Sequence, residues 1–349
     1  MLRRRSAGVP HRGRPRRFLT AGPLTVRPLT GRPPRILAGP AAGPGLTALL
    51  AEPAVRAQLE GCTVTVSQRP ADHPEFRAEL GQADGLLLTG RLTAPMMAAA
   101  PDLRVVSVTA TGVATYVDQP AAARHGITVT NVPGYGDVAV AEHTLALLLA
   151  TARGLVAADQ AVRRGEWDQP PGVELAGKVA GVVGYGGVGR RVAGLLELLG
   201  MTVLVWTRDP RPTRLDGTGR RFAGLDELFA RADVVSLHLA LTAGTSGLIS
   251  EPMLRSMAAG SILVNTARAE LIAPGALERV LADGHLRAGL DVFDREPLPA
   301  ASPLCRAGNA VLSPHQAFHT PEASRRLLLG AVANLAAFFA GQPRHVVAW

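Results

Sequence analysis

The sequence predicts an α/β protein made of two doubly wound domains, each with a parallel sheet. Short, continuously apolar segments alternate with helical patterns along most of the chain, as strands covered on both faces do. The alternation runs twice, in two series separated by one long apolar helical stretch. The second series opens with Gly184-x-Gly186-x-x-Gly189 straight after an apolar run, the order that a dinucleotide-binding βαβ unit needs.

The chain begins outside this pattern. Residues 1–35 hold ten arginines and no acid, with much Pro and Gly and no apolar periodicity, so a disordered basic tail is expected over 1–34. The formal charge of +9 belongs to that segment: taking its ten arginines from the 37 basic residues leaves 27 against 28 acids. The body therefore offers no electrostatic reason to expect nucleic acid as a partner. An over-extended translation start, a solvated or weakly nucleic-acid-binding arm and a transit peptide are the open readings of the tail. Its single Ser and its helix-breaking prolines count against the last.

Arg35-Ile-Leu-Ala-Gly39 opens the first strand. Leu49–Leu59 then reads as a helix, Thr63–Ser67 as a strand and Phe76–Leu80 as a short helix. Gly85–Thr89 and Arg104–Thr109 are buried strands around a helix over Ala94–Ala100, and Gly126–Val132 adds another strand. Val138–Arg164 reads as a long helix, apolar on most sides and so buried. The second series has strands at Val179–Val183, Val203–Trp206, Val234–Leu237, Ser261–Asn265, Ala288–Leu290 and Ala310–Leu312. A helix from Pro321 to about Ala340 closes the chain, placed to return to the first domain. The longest apolar stretches, Leu145–Ala150 and Leu327–Ala340, fall short of the ~20 residues that span a bilayer, so no membrane segment is expected. Cys62 and Cys305 lack any CxxC spacing and read as reduced thiols of a cytoplasmic enzyme.

The glycine motif has a physical logic. Gly184 permits the tight turn, Gly186 lets backbone N–H groups approach a pyrophosphate, and Gly189 lets the helix sit close to its strand. Tyr185, Gly187 and Val188 complete the loop, and the helix N-terminus favours an anion. The end of the next strand bears on cofactor choice. NAD sites present a carboxylate there to the ribose 2′-OH, whereas Trp206 is followed by Thr207 and Arg208. A hydroxyl and a planar guanidinium suit a 2′-phosphate, so NADP is favoured. NAD stays open, because Asp209 stands two residues later.

Three side chains that can carry chemistry fall at strand ends or just after them, where open α/β sheets bind ligands. Val264-Asn-Thr-Ala-Arg268 places a guanidinium there, able to clamp a carboxylate through two bonds. Glu296 follows the next strand and His315 the one after. Reduction of a carbonyl needs a proton donor near neutral pH, which His supplies when a carboxylate fixes its tautomer. His315 and His319 have the i, i+4 spacing of a metal pair but no third ligand nearby, so no metal is expected. His143 and His238 read as structural residues, and Lys178, the sole lysine, as solvent-facing.

Taken in order, these motifs resemble the D-isomer-specific 2-hydroxyacid dehydrogenases. The resemblance rests on the glycine turn, Val-Asn-Thr-Ala-Arg268, Leu-Asp-Val-Phe-Asp-Arg-Glu296-Pro and Ser-Pro-His315, with Asn131-Val-Pro-Gly-Tyr and Ala141-Glu-His-Thr144 at the domain junction. It covers nearly all of residues 35–340. It implies a Rossmann nucleotide domain over 133–317 and a flavodoxin-like, discontinuous substrate domain over 35–132 and 318–349, with the active site in the cleft between them. It implies that His315 is the acid/base, that Glu296 pairs with it and that Arg268 binds the 2-oxo acid. Thr266, Ala267, Arg268 and His315 would also face the cofactor, with Asp291 meeting the nicotinamide carboxamide. The backbone of Thr111, Gly112 and Val113 would hold the substrate carboxylate.

The activity implied is interconversion of a small 2-oxo acid and its D-2-hydroxy acid, of the glyoxylate or hydroxypyruvate reductase kind, by a homodimer joined largely through the nucleotide domain. The chain departs from the family at Ala269, where Gly is usual, and at Ala273, where Asp is common. Asp137-Val138 replaces a common Thr-Asp pair, and the loop Thr111–Asp118 is one residue longer than usual. These departures leave an unusual acid open as substrate. A nucleotide-sensing protein like the corepressors of this fold is the reading from another class. Glu296 argues against formate dehydrogenases, which carry Gln there, and the lack of a substrate-loop lysine argues against phosphite dehydrogenases.

Overall fold

The computed structural model describes residues 32–167, 169–208 and 220–347. The chain divides into two compact units. Among the described residues, one takes 32–107, then Tyr116–Thr130 and 332–347; the other takes Val108–Thr115 and the described part of 131–331.

In the first unit the elements run β1 (Arg35–Gly39), α1 (Pro44–Ala51), α2 (Pro53–Gln58), β2 (Thr63–Val66), α3 (Pro74–Leu80), β3 (Gly85–Leu88), α4 (Ala94–Ala98), β4 (Val105–Val108), α5 (Gln119–Arg124) and β5 (Thr128–Thr130). The strands are ordered β2-β1-β3-β4-β5, with parallel pairing, which is the flavodoxin-like order. β3 and β4 are buried along their whole length, as their unbroken apolar runs require. The single helix expected over Leu49–Leu59 is instead two. Pro53 pushes Glu52 into extended backbone at φ −63° and ψ 133°, and the chain restarts as α2.

The tail also ends earlier than expected. Arg32 grips the buried Asp84 through both guanidinium nitrogens, at 2.6 and 2.9 Å, and the carbonyl of Pro34 accepts the Thr63 N–H at 2.8 Å. Arg32–Pro34 therefore belong to the folded body. The rest of the expected tail lies outside the described residues.

The second unit contains α6 (Asp137–Arg153), α7 (Leu155–Arg163), β6 (Val179–Val183), α8 (Gly187–Leu198), β7 (Thr202–Trp206), β8 (Arg221–Phe222), α9 (Leu225–Arg231), β9 (Val234–Leu237), α10 (Glu251–Ser256), β10 (Ile262–Asn265), α11 (Ala276–Ala282), β11 (Arg287–Leu290) and β12 (Ala310–Leu312). Helix α12 (Pro321–Phe339) follows and carries the boundary between the units within it. The parallel sheet is ordered β12-β11-β10-β9-β6-β7-β8. Strand order reverses between β6 and β9, the switch point beside which such sheets bind nucleotides.

Two expectations change here. The long helix over Val138–Arg164 breaks at Gly154, which takes φ +59°, a left-handed value that ends a helix at little cost for glycine. Helix α6 buries Ala139, Ala141, Leu147 and Leu148, whereas α7 buries nothing. The expected boundary at residue 318 moves to Val332. The segment before it is tied to residues 132–136: Arg326 Nε donates to the Tyr135 carbonyl at 2.8 Å, and a β-carbon on Gly330 would lie 2.5 Å from Val132. Thr111 Oγ1 likewise donates to the Val132 carbonyl at 3.2 Å, which draws Val108–Thr115 into this unit. Among the described residues no single helix is long and apolar enough to cross a membrane; α6 and α7 pass only as a pair bent by 64°.

Candidate active site

The strand β6, its glycine turn and helix α8 form the first part of the site. Gly184 has φ +100°, and a β-carbon there would lie 2.4 Å from the His238 carbonyl oxygen. One on Gly189 would lie 2.0 Å from the Gly184 carbonyl oxygen. Both glycines are thus demanded by the protein's own backbone. Gly186 differs, since a β-carbon there would meet nothing within 4 Å. It is the N-cap of α8, and no side chain caps the first-turn N–H groups. That arrangement fits the diphosphate of a nicotinamide dinucleotide.

Tyr185 in this turn lies against two guanidiniums, Arg190 at 5.2 Å and Arg220 at 5.8 Å from the ring centre. Arg190 Nε donates to the Tyr185 carbonyl at 3.1 Å. Arg220 donates to the Tyr185 hydroxyl and holds both Glu197 oxygens, at 2.6 and 2.7 Å. Thr207, half-buried, and Arg208, exposed, follow β7; Asp209 lies outside the described residues. Beneath the turn, His238 Nε2 bonds to Ser236 Oγ at 2.8 Å. Burial pushes the His238 imidazole down to about 3, so it is neutral at physiological pH.

The second part lies at the ends of β10, β11 and β12. His315 Nδ1 is 2.7 Å from Glu296 Oε2, and Glu296 Oε1 accepts the Phe293 N–H at 3.1 Å. The imidazole is thereby fixed with Nδ1–H toward the carboxylate, which leaves Nε2 as the face for proton transfer. His315 takes φ +50°, in the left-handed region that β-carbon-bearing residues seldom adopt. Arg268 is exposed, and its Nη1 donates to the Ala267 carbonyl at 2.7 Å.

Asp291 directly follows β11. Its side chain is wholly buried, and its carboxylate accepts from Ser313 Oγ (2.6 Å), Gln316 N (2.9 Å) and Ala317 N (2.8 Å), with His143 Nε2 at 3.4 Å. Burial alone would raise its pKa, but bonds from His143, Ser313, Ala317 and Gln316 outweigh it and hold the carboxyl below its usual range. The role the geometry gives Asp291 is to clamp the loop that carries His315. Thr266 is likewise turned inward, its hydroxyl bonded to Thr144 Oγ1 at 2.8 Å.

Two contributors escape sequence reasoning. Asn265, 1% exposed, shapes the Arg268 turn by accepting from Ala267 N at 3.0 Å and donating to the Arg268 carbonyl at 2.9 Å. His143, expected to be merely structural, bonds to Ser313 Oγ at 2.9 Å and so joins the clamp. Only the Asn at a strand end, as a turn-forming residue, signalled the first. Of the expected substrate segment, Thr111 and Gly112 are exposed and Val113 is buried. Asn131 Nδ2 donates to the Thr111 carbonyl at 2.5 Å.

The family model described as D-isomer specific 2-hydroxyacid dehydrogenase, NAD binding domain, matches residues 145–317. The chain is 37% identical over 310 residues to a glyoxylate reductase of Thermofilum pendens, covering 85% of this chain and 91% of that protein. The crystal structure of the TT0316 protein from Thermus thermophilus is 37% identical and superposes with a TM-score of 0.75 over 90% of this chain and 100% of its own. An acyclic imino acid reductase in complex with NADPH and D-Arg is 26% identical, with a TM-score of 0.76 over 90% of this chain and 100% of that one.

Proposed function

Because this chain belongs to the D-isomer specific 2-hydroxyacid dehydrogenases, oxidoreductases that interconvert 2-oxo and 2-hydroxy acids with a nicotinamide cofactor, we propose that it reduces a small 2-oxo acid of the glyoxylate or hydroxypyruvate kind, with NADPH preferred. The observation that carries the reading is the His315–Glu296 pair, 2.7 Å apart, at the same sheet edge as the glycine turn.

The bound cofactor supplies the hydride. His315 gives the proton from Nε2 to the carbonyl oxygen as it becomes a hydroxyl, and in the reverse direction takes it back. Glu296, bonded to Nδ1, keeps that tautomer and stabilises the imidazolium. Arg268 binds the acid through its guanidinium, and the backbone of Thr111, Gly112 and Val113 holds the substrate carboxylate. On the cofactor side, Gly184–Gly189 hold the diphosphate, and Ala267 lines the site beside Arg268. Thr207 and Arg208 bind the 2′-phosphate, which supports NADPH over NADH because no carboxylate stands at those two positions.

The protein acts in this reading as a cytoplasmic homodimer. Its thiols Cys62 and Cys305 are free, and α7 leaves Leu155, Val156 and Val162 exposed, an apolar face suited to a second copy of the chain. Light scattering on the purified protein and on Leu155→Glu, which should be monomeric, checks the assembly.

Steady-state kinetics with a panel of 2-oxo acids, each with NADPH and NADH, tests the activity. Glyoxylate or hydroxypyruvate with NADPH should give the highest kcat/KM. His315→Ala should lower kcat by roughly 10²–10⁴, the usual worth of a general acid, while NADPH still binds. Undiminished turnover in that variant would remove His315 from the mechanism, and a preference for NADH would assign the ribose to Asp209.

A further inference from the structure

We propose that Asp137 sets the affinity of the dinucleotide site, as a resident carboxylate at the N-terminus of α8 that opposes the cofactor's diphosphate. The inference rests on the cofactor reading above. A β-carbon built on Gly187 would lie 1.8 Å from Asp137 Oδ2 and 2.5 Å from its Cγ. The carboxylate therefore lies directly against the first residue of α8, and any side chain at position 187 would displace it. Asp137 is itself the first residue of α6, so its charge meets the positive ends of two helices.

Among the described residues the Asp137 carboxylate makes no ion pair and no side-chain hydrogen bond, and the first turn of α8 has no acid of its own to share the place. Arg190, on the same helix, is turned to Tyr185, whose carbonyl takes its Nε–H and whose ring lies under its guanidinium. Gly187 and Asp137 thus act together: the bare glycine admits the carboxylate, which lies beside the first turn of the helix end that attracts a phosphate. In the empty enzyme this is favourable. When a diphosphate arrives, two like charges are brought within a few ångströms, and binding weakens.

Titration calorimetry on the full chain tests this with three ligands: NADPH, ADP-ribose and adenosine 2′-monophosphate. Asp137→Asn should lower the Kd of NADPH and of ADP-ribose by about tenfold or more, as expected for removing a charge close to a charge. The Kd of adenosine 2′-monophosphate, which has no diphosphate, should stay unchanged. The melting temperature of the empty variant should fall slightly, because a favourable helix-end charge is lost. A merely structural role would move all three ligands together or none. Equal or weaker binding of NADPH and ADP-ribose by the variant overturns the proposal. If neither protein binds NADPH, the cofactor reading fails and this inference falls with it. Should Asp137→Asn not fold, Asp137→Ser gives the same comparison.

Discussion

His315 shows how much the placement of a single side chain can cost. Its φ of +50° lies in a region that a residue with a β-carbon occupies at a cost of about 1–3 kcal/mol. Asp291 offsets that cost by taking the N–H groups of Gln316 and Ala317, the next two residues along the loop. Asp291→Asn should therefore lower kcat more than it weakens NADPH binding, and destabilise the protein by about 1.5–3 kcal/mol, the range for hydrogen bonds to a charged group. The sign of its pH dependence comes from its lowered folded pKa. The stability it contributes is complete above the unfolded value of about 3.9 and is lost as pH falls through the lower folded value. Urea unfolding at neutral and acid pH should thus show a shallower acid loss in the variant. Equal stability of the two proteins at neutral pH would dismiss the clamp.

At the scale of elements, β6, the glycine turn and α8 make one unit whose glycines are not equivalent. A β-carbon at Gly189 meets backbone, the Gly184 carbonyl at 2.0 Å, and cannot be relieved by a side-chain rotation. A β-carbon at Gly186 meets nothing. Gly189→Ala should abolish detectable NADPH binding and lower the melting temperature by several degrees, whereas Gly186→Ala should melt with the wild type; calorimetry and cofactor fluorescence read both. Wild-type melting of Gly189→Ala would show that the helix can move away from its strand. Strand positions were legible because each apolar run is short and bounded by turn residues. The break of α6 from α7 was less so, although Gly154 within a helical pattern is a recognised stop. Burial on α6 and exposure on α7 come from the sheet behind α6, which a helical repeat does not reveal.

For the whole molecule, the division of the chain depends on contacts more than on sequence order. Residues 108–115 and 318–331 go with the nucleotide-binding unit because Val132, Tyr135 and Gly330 hold them there. At the other end, Arg32 covers Asp84, whose side chain is 5% exposed. Burial raises that carboxyl, but the bonds from Arg32 and the Arg35 N–H outweigh it and keep it below its usual range. Deleting residues 1–31 should leave melting temperature and activity almost unchanged, while deleting 1–34 should lower the melting temperature by leaving the Asp84 carboxylate without Arg32. Differential scanning fluorimetry of the two truncations decides it. Equal melting of both would show that Arg32 contributes nothing to the fold.

By itself the sequence determined the two series of strands and helices, the glycine turn, and the order Arg268, Glu296, His315 along one sheet edge. These are local patterns, written in periodicity, in glycine and proline, and in the residues at the end of each strand. Only the tertiary structure decided what other side chains touch. Asp291 turns inward to its loop, and Asp137 comes to rest on Gly187 from another helix. Such contacts join residues far apart in the chain. Their geometry depends on how whole elements pack, and close packing leaves each side chain few positions that no local pattern specifies.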